Sequence, residues 1–300
     1  MGGNLMTIGK ASQRSRRPNR LTYRGMLLPF LVLSLGTLCV PVAVALYLSF
    51  TNIQLIGPFA THFLFTGLEN WRRLLGDGLF QQALWMTVVF VIVGTVLVQT
   101  VAGTAAAMLL RAVAPVTRVV VQGVLVVTWV IPEVVVGVTW YALAQPGGLM
   151  GQMAGQADQD LLITFAWPIV LAANVWHNVA FTTLLVTAGL SNIPDTVIEA
   201  ARLDGCGPVS LFRYVQAPLL RTTFATDIAL TSLQALSVFT LIYVMTQGGP
   251  QNATLTLPLY IYQQGFENSA LGYSLAMSVV LMIIGSLLAV AMVRQVASSD

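Results

Sequence analysis

The run Leu271-Gly-Tyr-Ser-Leu-Ala-Met-Ser-Val-Val-Leu-Met-Ile-Ile-Gly-Ser-Leu-Leu-Ala-Val-Ala-Met-Val293 contains no Asp, Glu, Lys or Arg. It exceeds the roughly 20 residues that an α-helix needs to cross a hydrocarbon core. In lipid no water satisfies backbone N–H and C=O groups, so a continuous apolar run must be helical; a barrel strand would alternate polar and apolar residues. The same reading applies to five more segments. Met26–Phe50 and Ala83–Leu110 are also free of Asp, Glu, Lys and Arg. Val119–Ala144 carries only Glu133, Thr222–Thr246 only Asp227, and Leu161–Leu190 has His177 as its one titratable residue. The prediction is an all-α, polytopic membrane protein of six transmembrane helices, forming one domain over residues 26–294.

Composition agrees. Of 300 residues, 56% are hydrophobic and 8% charged, where a soluble domain carries about a quarter charged residues. The formal net charge of +3 is not a nucleic-acid signal, because the basic residues gather at one end and at helix flanks, where they suit membrane lipid. With the N-terminus inside, twelve of the 14 Lys and Arg fall on the cytoplasmic side, leaving Arg72 and Arg73 outside. Both termini are thus predicted cytoplasmic. Residues 1–25 form a basic tail with Lys10, Arg14, Arg16, Arg17, Arg20 and Arg24, and 295–300 a short C-terminal one. Cys39 and Cys206 lie in compartments that do not meet, which excludes a disulfide framework, and no His, Cys or carboxylate set has metal-ligand spacing.

The outer connection Thr51–Gln82 reads as an interfacial helix anchored by Trp71, with Asn70 and Asp77 nearby. Charged groups inside a span are costly and mark a pathway or a buried pair. Glu133 follows Pro132, which removes a helix hydrogen bond, so a bend with a polar site is expected there. Asp227 sits near the inner interface. Asn174, Trp176, His177 and Asn178 fall within about one turn, with Trp167 earlier on the same helix. An aromatic platform with side-chain amides suits a carbohydrate ring, although the same groups serve equally as interhelical glue. Gln234, Ser237 and Tyr243 extend the candidate pathway. No Lys or Arg lies in a span interior, which favours a neutral solute.

The one polar island predicted inside is Ser191–Arg221. Pro194 and Asp195 suit a first helical turn, Gly205 and Gly207 permit a stop, and Pro208 opens a second helix. Glu199, Arg202 and Asp204 flank the small Ala200 and Ala201, leaving a helix able to enter a partner's cleft. A P-loop requires Gly-x-x-x-x-Gly-Lys followed by Ser or Thr. The sole lysine, Lys10, precedes Ala11, so any ATP binds elsewhere.

Glu199-Ala-Ala201, Gly205 and the following Val215-Gln-Ala-Pro218 resemble the cytoplasmic signature of binding-protein-dependent ABC importer permeases. Phe65-Thr-Gly-Leu-Glu-Asn-Trp-Arg-Arg-Leu-Leu75 and Thr246-Gln-Gly-Gly-Pro250 resemble the carbohydrate-uptake branch, maltose-type and glycerol-3-phosphate-type permeases in particular. The likeness runs from Tyr23 to Val293. Cys206 departs from a usual Ala and Ala217 from a usual Leu. The resemblance implies the type I permease fold and a bacterial inner membrane location. It implies a second permease, a pair of ATPase subunits binding ATP and Mg, an external solute-binding protein, and a sugar or related solute moved by alternating access. It makes Glu199, Ala200, Ala201, Asp204, Gly205 and Pro218 the coupling element. Glu133, Asn174, Trp176, Asn178, Gln234 and Tyr243 remain the pathway candidates. No cofactor, metal or nucleic acid and no catalytic residue are expected of this chain. The alternative is an ion-coupled secondary transporter relaying protons or sodium through Glu133 and Asp227.

Overall fold

The computed structural model describes residues 20–297, so Lys10, Arg14, Arg16 and Arg17 of the basic tail and residues 298–300 lie outside the described residues. The described residues fall into two compact units that divide between Tyr47 and Leu48. The first holds the helix α1, Arg20–Leu48, up to its last residue; α1 is apolar throughout its second half and accommodates Pro29 and Pro41.

In the second unit, an extended link with one isolated bridge, Thr51 to Phe65, leads to α2, Glu69–Gly76. Trp71 on α2 is half-buried against Phe50, 5.8 Å between ring centroids. Asp77 then starts α3, Gly78–Ala112, by accepting from the N–H groups of Leu79 (2.9 Å) and Phe80 (3.2 Å). Such a cap satisfies N–H groups that a helix start leaves orphaned. Over Phe90–Gln99 this helix widens into π turns, a geometry that displaces side chains from α register and often marks functional sites.

α4, Pro115–Val130, and α5, Glu133–Ala144, meet at 96° across Ile131–Pro132. Proline without an N–H cannot continue α4, and the residue before it is driven out of the helical region; Ile131 accordingly has ψ 130°. The short α6, Leu149–Met153, precedes α7, Leu161–Ser191. Next come α8, Asp195–Leu203, and α9, Pro208–Leu211, the latter prolonged by a π turn over Phe212–Gln216 and the short turn Ala217–Leu219. α10, Arg221–Leu236, and α11, Thr240–Met245, divide the segment predicted as a single span. α12, Leu257–Tyr262, continues as a π turn to Glu267, and α13, Leu271–Ala297, closes the order.

Among the described residues, α3, α7 and the Leu271–Arg294 part of α13 are each long and apolar enough to cross a membrane, and the bent α4–α5 pair makes a fourth if it is one span. No strand forms among them. Two larger apolar clusters, and a small one of Val91, Ala235 and Leu236, hold the described residues of the second unit. One gathers Phe90, Val170, Ile242, Leu257, Leu259, Tyr273 and Met277. The other, at the end where the elbow lies, gathers Ala107, Val186, Leu190, Ile198, Ala201, Leu211 and Leu220. Helices α3 and α7 make the most extensive packing contact. It depends on Gly103, where any Cβ would collide with the Thr182 side chain. Close backbone approach through small residues is how membrane helices gain contact when lipid is as apolar as the helices themselves.

Candidate functional site

Four elements enclose a cavity of about 230 Å³. From α3 come Thr95 and Gln99; from the two sides of the α4–α5 bend, Trp129 and Glu133; from α7, Asn174, His177 and Asn178; from α10 and its end, Thr231, Gln234 and Ser237. The bend brings Glu133 to the first position of α5, where the positive end of the helix dipole favours a carboxylate. His177 holds the bend from across the cavity: its Nε2 lies 2.9 Å from the Ile131 carbonyl oxygen. A carbonyl only accepts, so Nε2 carries the hydrogen in this contact.

The amide wall is ordered internally. Asn178 Nδ2 donates to the Asn174 carbonyl (3.0 Å) and to Asn174 Oδ1 (3.2 Å). Gln99 Nε2 donates to the Asn178 carbonyl (3.3 Å) and to Thr182 Oγ1 (3.2 Å), tying α3 to α7. Behind this wall, Asp227 has no exposed surface. Thr100 Oγ1 donates to its Oδ2 (3.3 Å), whereas Oδ1 has no hydrogen-bond partner.

The cavity unites Glu133, Asn174, Asn178 and Gln234, four of the six pathway candidates, together with His177 and Ser237. The other two lie elsewhere. Trp176 sits two residues after Asn174, hence on the far side of α7; it is exposed, 6.1 Å from the Trp140 ring, beside an apolar groove with Trp167 and Pro168. Tyr243 packs with Phe239 and Tyr262. Sequence reasoning passed over Thr95, Gln99, Trp129 and Thr231. Gln99, a lone amide in a span without charge, was the available signal.

The polar island folds as a helix, a stop and a second helix. Gly205 has φ +85°, a conformation open to glycine at little cost. Its N–H donates to the Arg202 carbonyl (3.0 Å), while Cys206 N–H donates to that of Ala201 (3.0 Å). This pair of bonds is the Schellman stop. Ile198 and Ala201 are buried in the second apolar cluster. Glu199, Ala200, Asp204, Gly205 and Pro218 are exposed, and Leu203 is 89% exposed. The two alanines therefore divide, Ala201 into this chain's own core and Ala200 outward. Asp195 reaches Arg111 at 3.8 Å, but in so exposed a place that the pair contributes little.

Long charge-free helices, a polar cavity walled by several of them, and a helix-stop-helix elbow packed on their ends define a transport component of a membrane. The likeness to known proteins narrows this. A family model for the binding-protein-dependent transport system inner membrane component matches residues 99–299, and the chain belongs to that family. It is 31% identical over 276 residues to the sn-glycerol-3-phosphate transport system permease protein UgpA of Brucella abortus, with 91% of this chain and 93% of that protein covered. It is 26% identical over 280 residues to the sulfoquinovosyl glycerol transport system permease protein SmoG of Agrobacterium fabrum, covering 92% and 90%. In fold it resembles a bacterial ABC transporter involved in the import of the acidic polysaccharide alginate, at TM-score 0.77 and 18% identity, covering 93% of this chain and 96% of that one. The chain is a permease subunit of an ABC importer, a multi-pass component of the inner membrane. The ion-coupled alternative yields to this membership.

Proposed function

We propose that this permease passes a neutral, hydroxyl-rich solute of the sugar or sugar-glycerol class through the cavity between α3, α5, α7 and α10. The observation that carries the reading is the lining itself: one carboxyl, four amides and three hydroxyls around about 230 Å³, with Trp129 as the aromatic surface and no Lys or Arg. A phosphorylated solute would demand fixed positive charge, which this chain's lining does not offer and the second permease would have to supply. Binding by few, convergent polar groups in an otherwise apolar wall is how small-molecule sites achieve orientation.

In this reading the chain crosses the membrane six times, with both termini and the elbow on the cytoplasmic side, consistent with the distribution of Lys and Arg. The divided span α10–α11 and the bent α4–α5 pair count as one crossing each. A second permease completes the pathway, and a pair of ATPase subunits binds ATP with Mg and docks on Glu199, Ala200, Asp204 and Gly205. A solute-binding protein delivers from outside. ATP-driven closure of the ATPases moves the elbow, and α7, continuous in chain with it, transmits the shift to Asn174 and Asn178. Ligands that prefer different states at the two ends bias one equilibrium, which is the thermodynamic content of coupling.

The test is uptake of radiolabelled sugars into vesicles holding the full importer. Replacing Asn178 by Ala, which removes one solute hydrogen bond and loosens Asn174, is expected to lower kcat/KM roughly two- to tenfold with assembly intact. Unchanged uptake in both Asn178→Ala and Gln234→Ala would refute the cavity as the path.

A further inference from the structure

The cavity wall continues beyond its last lining residue as a row of aromatic rings. Phe239, immediately after cavity-lining Val238, stacks on Tyr243 with centroids 5.3 Å apart and meets Tyr262 of α12 at 5.1 Å. Tyr262 lies 5.3 Å from Tyr243 and stacks on Phe266 at 5.4 Å. Phe266, at the far end of the row, is 57% exposed.

Core formation accounts for only part of this placement. Phe239 and Tyr243 pack on the apolar cluster to which α11 and α12 supply Leu241, Ile242, Met245, Leu257 and Leu259, but the row runs on past it through Tyr262 and Phe266. Phe239, Tyr243 and Tyr262 stand half-exposed beside them. Four rings in unbroken contact offer flat apolar faces, and the two tyrosines add a hydroxyl at the edge. No Lys or Arg stands among them; Glu267, next to Phe266, is the nearest charge in sequence.

We propose that the row Phe239–Tyr243–Tyr262–Phe266 is a stacking rail for pyranose rings, carrying them between the exposed end of the row and the cavity. A pyranose presents C–H faces to aromatic rings and hydroxyls to tyrosine edges; an open-chain polyol lacks the stiff face. Several adjacent sites of similar, modest strength suit passage, since a solute must bind well enough to enter and weakly enough to leave. The proposal rests on the sugar reading of the cavity but concerns residues outside it.

The experiment measures uptake of radiolabelled glucose, maltose and glycerol by the complete importer in vesicles, for wild type, Tyr262→Ala, Phe266→Ala, Tyr262→Phe and the cavity variant Asn178→Ala. The rail predicts that Tyr262→Ala and Phe266→Ala slow uptake of the ring sugars roughly two- to tenfold, that glycerol uptake does not change, and that Tyr262→Phe restores the ring sugars. Ring-sugar uptake at the wild-type rate in both alanine variants, with Asn178→Ala impaired, overturns the rail and leaves the cavity reading standing. A wild type that moves neither ring sugar overturns both. Loss of the second permease from the purified Tyr262→Ala complex also overturns the rail and assigns the row to a subunit contact.

Discussion

Asp77 and Tyr273 lie 196 residues apart in sequence and are joined by a 2.5 Å hydrogen bond from the tyrosine hydroxyl to Oδ2. Tyr260 donates to the same oxygen at 2.6 Å, and the guanidinium of Arg73 covers the Tyr273 ring 4.1 Å from its centroid. One carboxylate thus caps α3 with Oδ1 and fastens α12 and α13 with Oδ2. Burial by itself pushes the Asp77 carboxyl up, but hydrogen bonds from the two tyrosines and the Phe80 and Leu79 N–H groups together hold it below its ordinary value. Burial first, then the adjacent Asp77, raises the Tyr260 phenol, which stays a donor.

The folded carboxyl therefore binds its proton less tightly than the unfolded one. Its contribution is complete above the unfolded value of about 3.9 and is lost as pH falls through the lower folded value. Asp77→Asn is expected to unfold at lower temperature at neutral pH, by roughly 2–4 °C for each kcal/mol lost, and to lack that acid-dependent segment. Thermal unfolding in detergent from pH 7 down to below 4 measures it; superimposable wild-type and variant curves would rule out the carboxylate as a fastener.

The two alanines of the elbow give a contrast that separates folding from docking. Ala201 is 8% exposed among Ile198, Leu211 and Leu220, so Ala201→Leu overpacks that cluster at a cost of about 1–3 kcal/mol. Ala200 is exposed, so Ala200→Leu is expected to leave the unfolding temperature in place and, under the docking proposed above, to obstruct the ATPase. The expected readings are a lowered midpoint for the first, and for the second an unchanged midpoint with ATP hydrolysis no longer linked to uptake. Equal behaviour of the two variants would mean that the elbow does not present the face described.

What was legible in the sequence follows from the range of the forces involved. Absence of charge over a span is local, and α3, α7 and α13 were readable from it; Pro132 announced the bend because the missing N–H is a property of one residue. Asn174 and Asn178 share a face by helical spacing alone. Trp176 shows the limit of proximity in sequence, since two residues along a helix turn it away from the cavity. Gln99 required knowing that α3 packs on α7, which the collision-free Gly103 permits and no local pattern displays. The tyrosines that grip Asp77 were equally hidden, being contacts made by tertiary structure across most of the chain.

Gly103 makes that dependence measurable. With any β-carbon at 103 meeting Thr182, Gly103→Val must push α3 from α7 and break the Gln99 contacts to Asn178 and Thr182 as well. A loss of about 1–3 kcal/mol is expected, together with impaired uptake. Because the Thr182 β-carbon itself meets that position, only removing it, in Gly103→Ala/Thr182→Gly, should recover part of the stability, without the Gln99–Thr182 bond. If the double variant is no better than Gly103→Ala alone, the approach of these two helices is not limited by that contact.

His177 is the last case, because its role is distinguishable from that of a solute ligand. It is 6% exposed, and its Nε2 serves the Ile131 carbonyl that the Pro132 break releases from helical bonding. A buried acceptor that loses its donor costs about 1–3 kcal/mol, so His177→Phe, similar in shape without the donor, should lower the unfolding midpoint even in the absence of solute. It should also displace Glu133, which begins α5 directly after Pro132, and so raise KM for the carried sugar. His177→Gln, which keeps an N–H within reach, should recover stability before it recovers transport. A His177→Phe variant with wild-type stability and altered uptake alone would instead make His177 a direct contact of the solute.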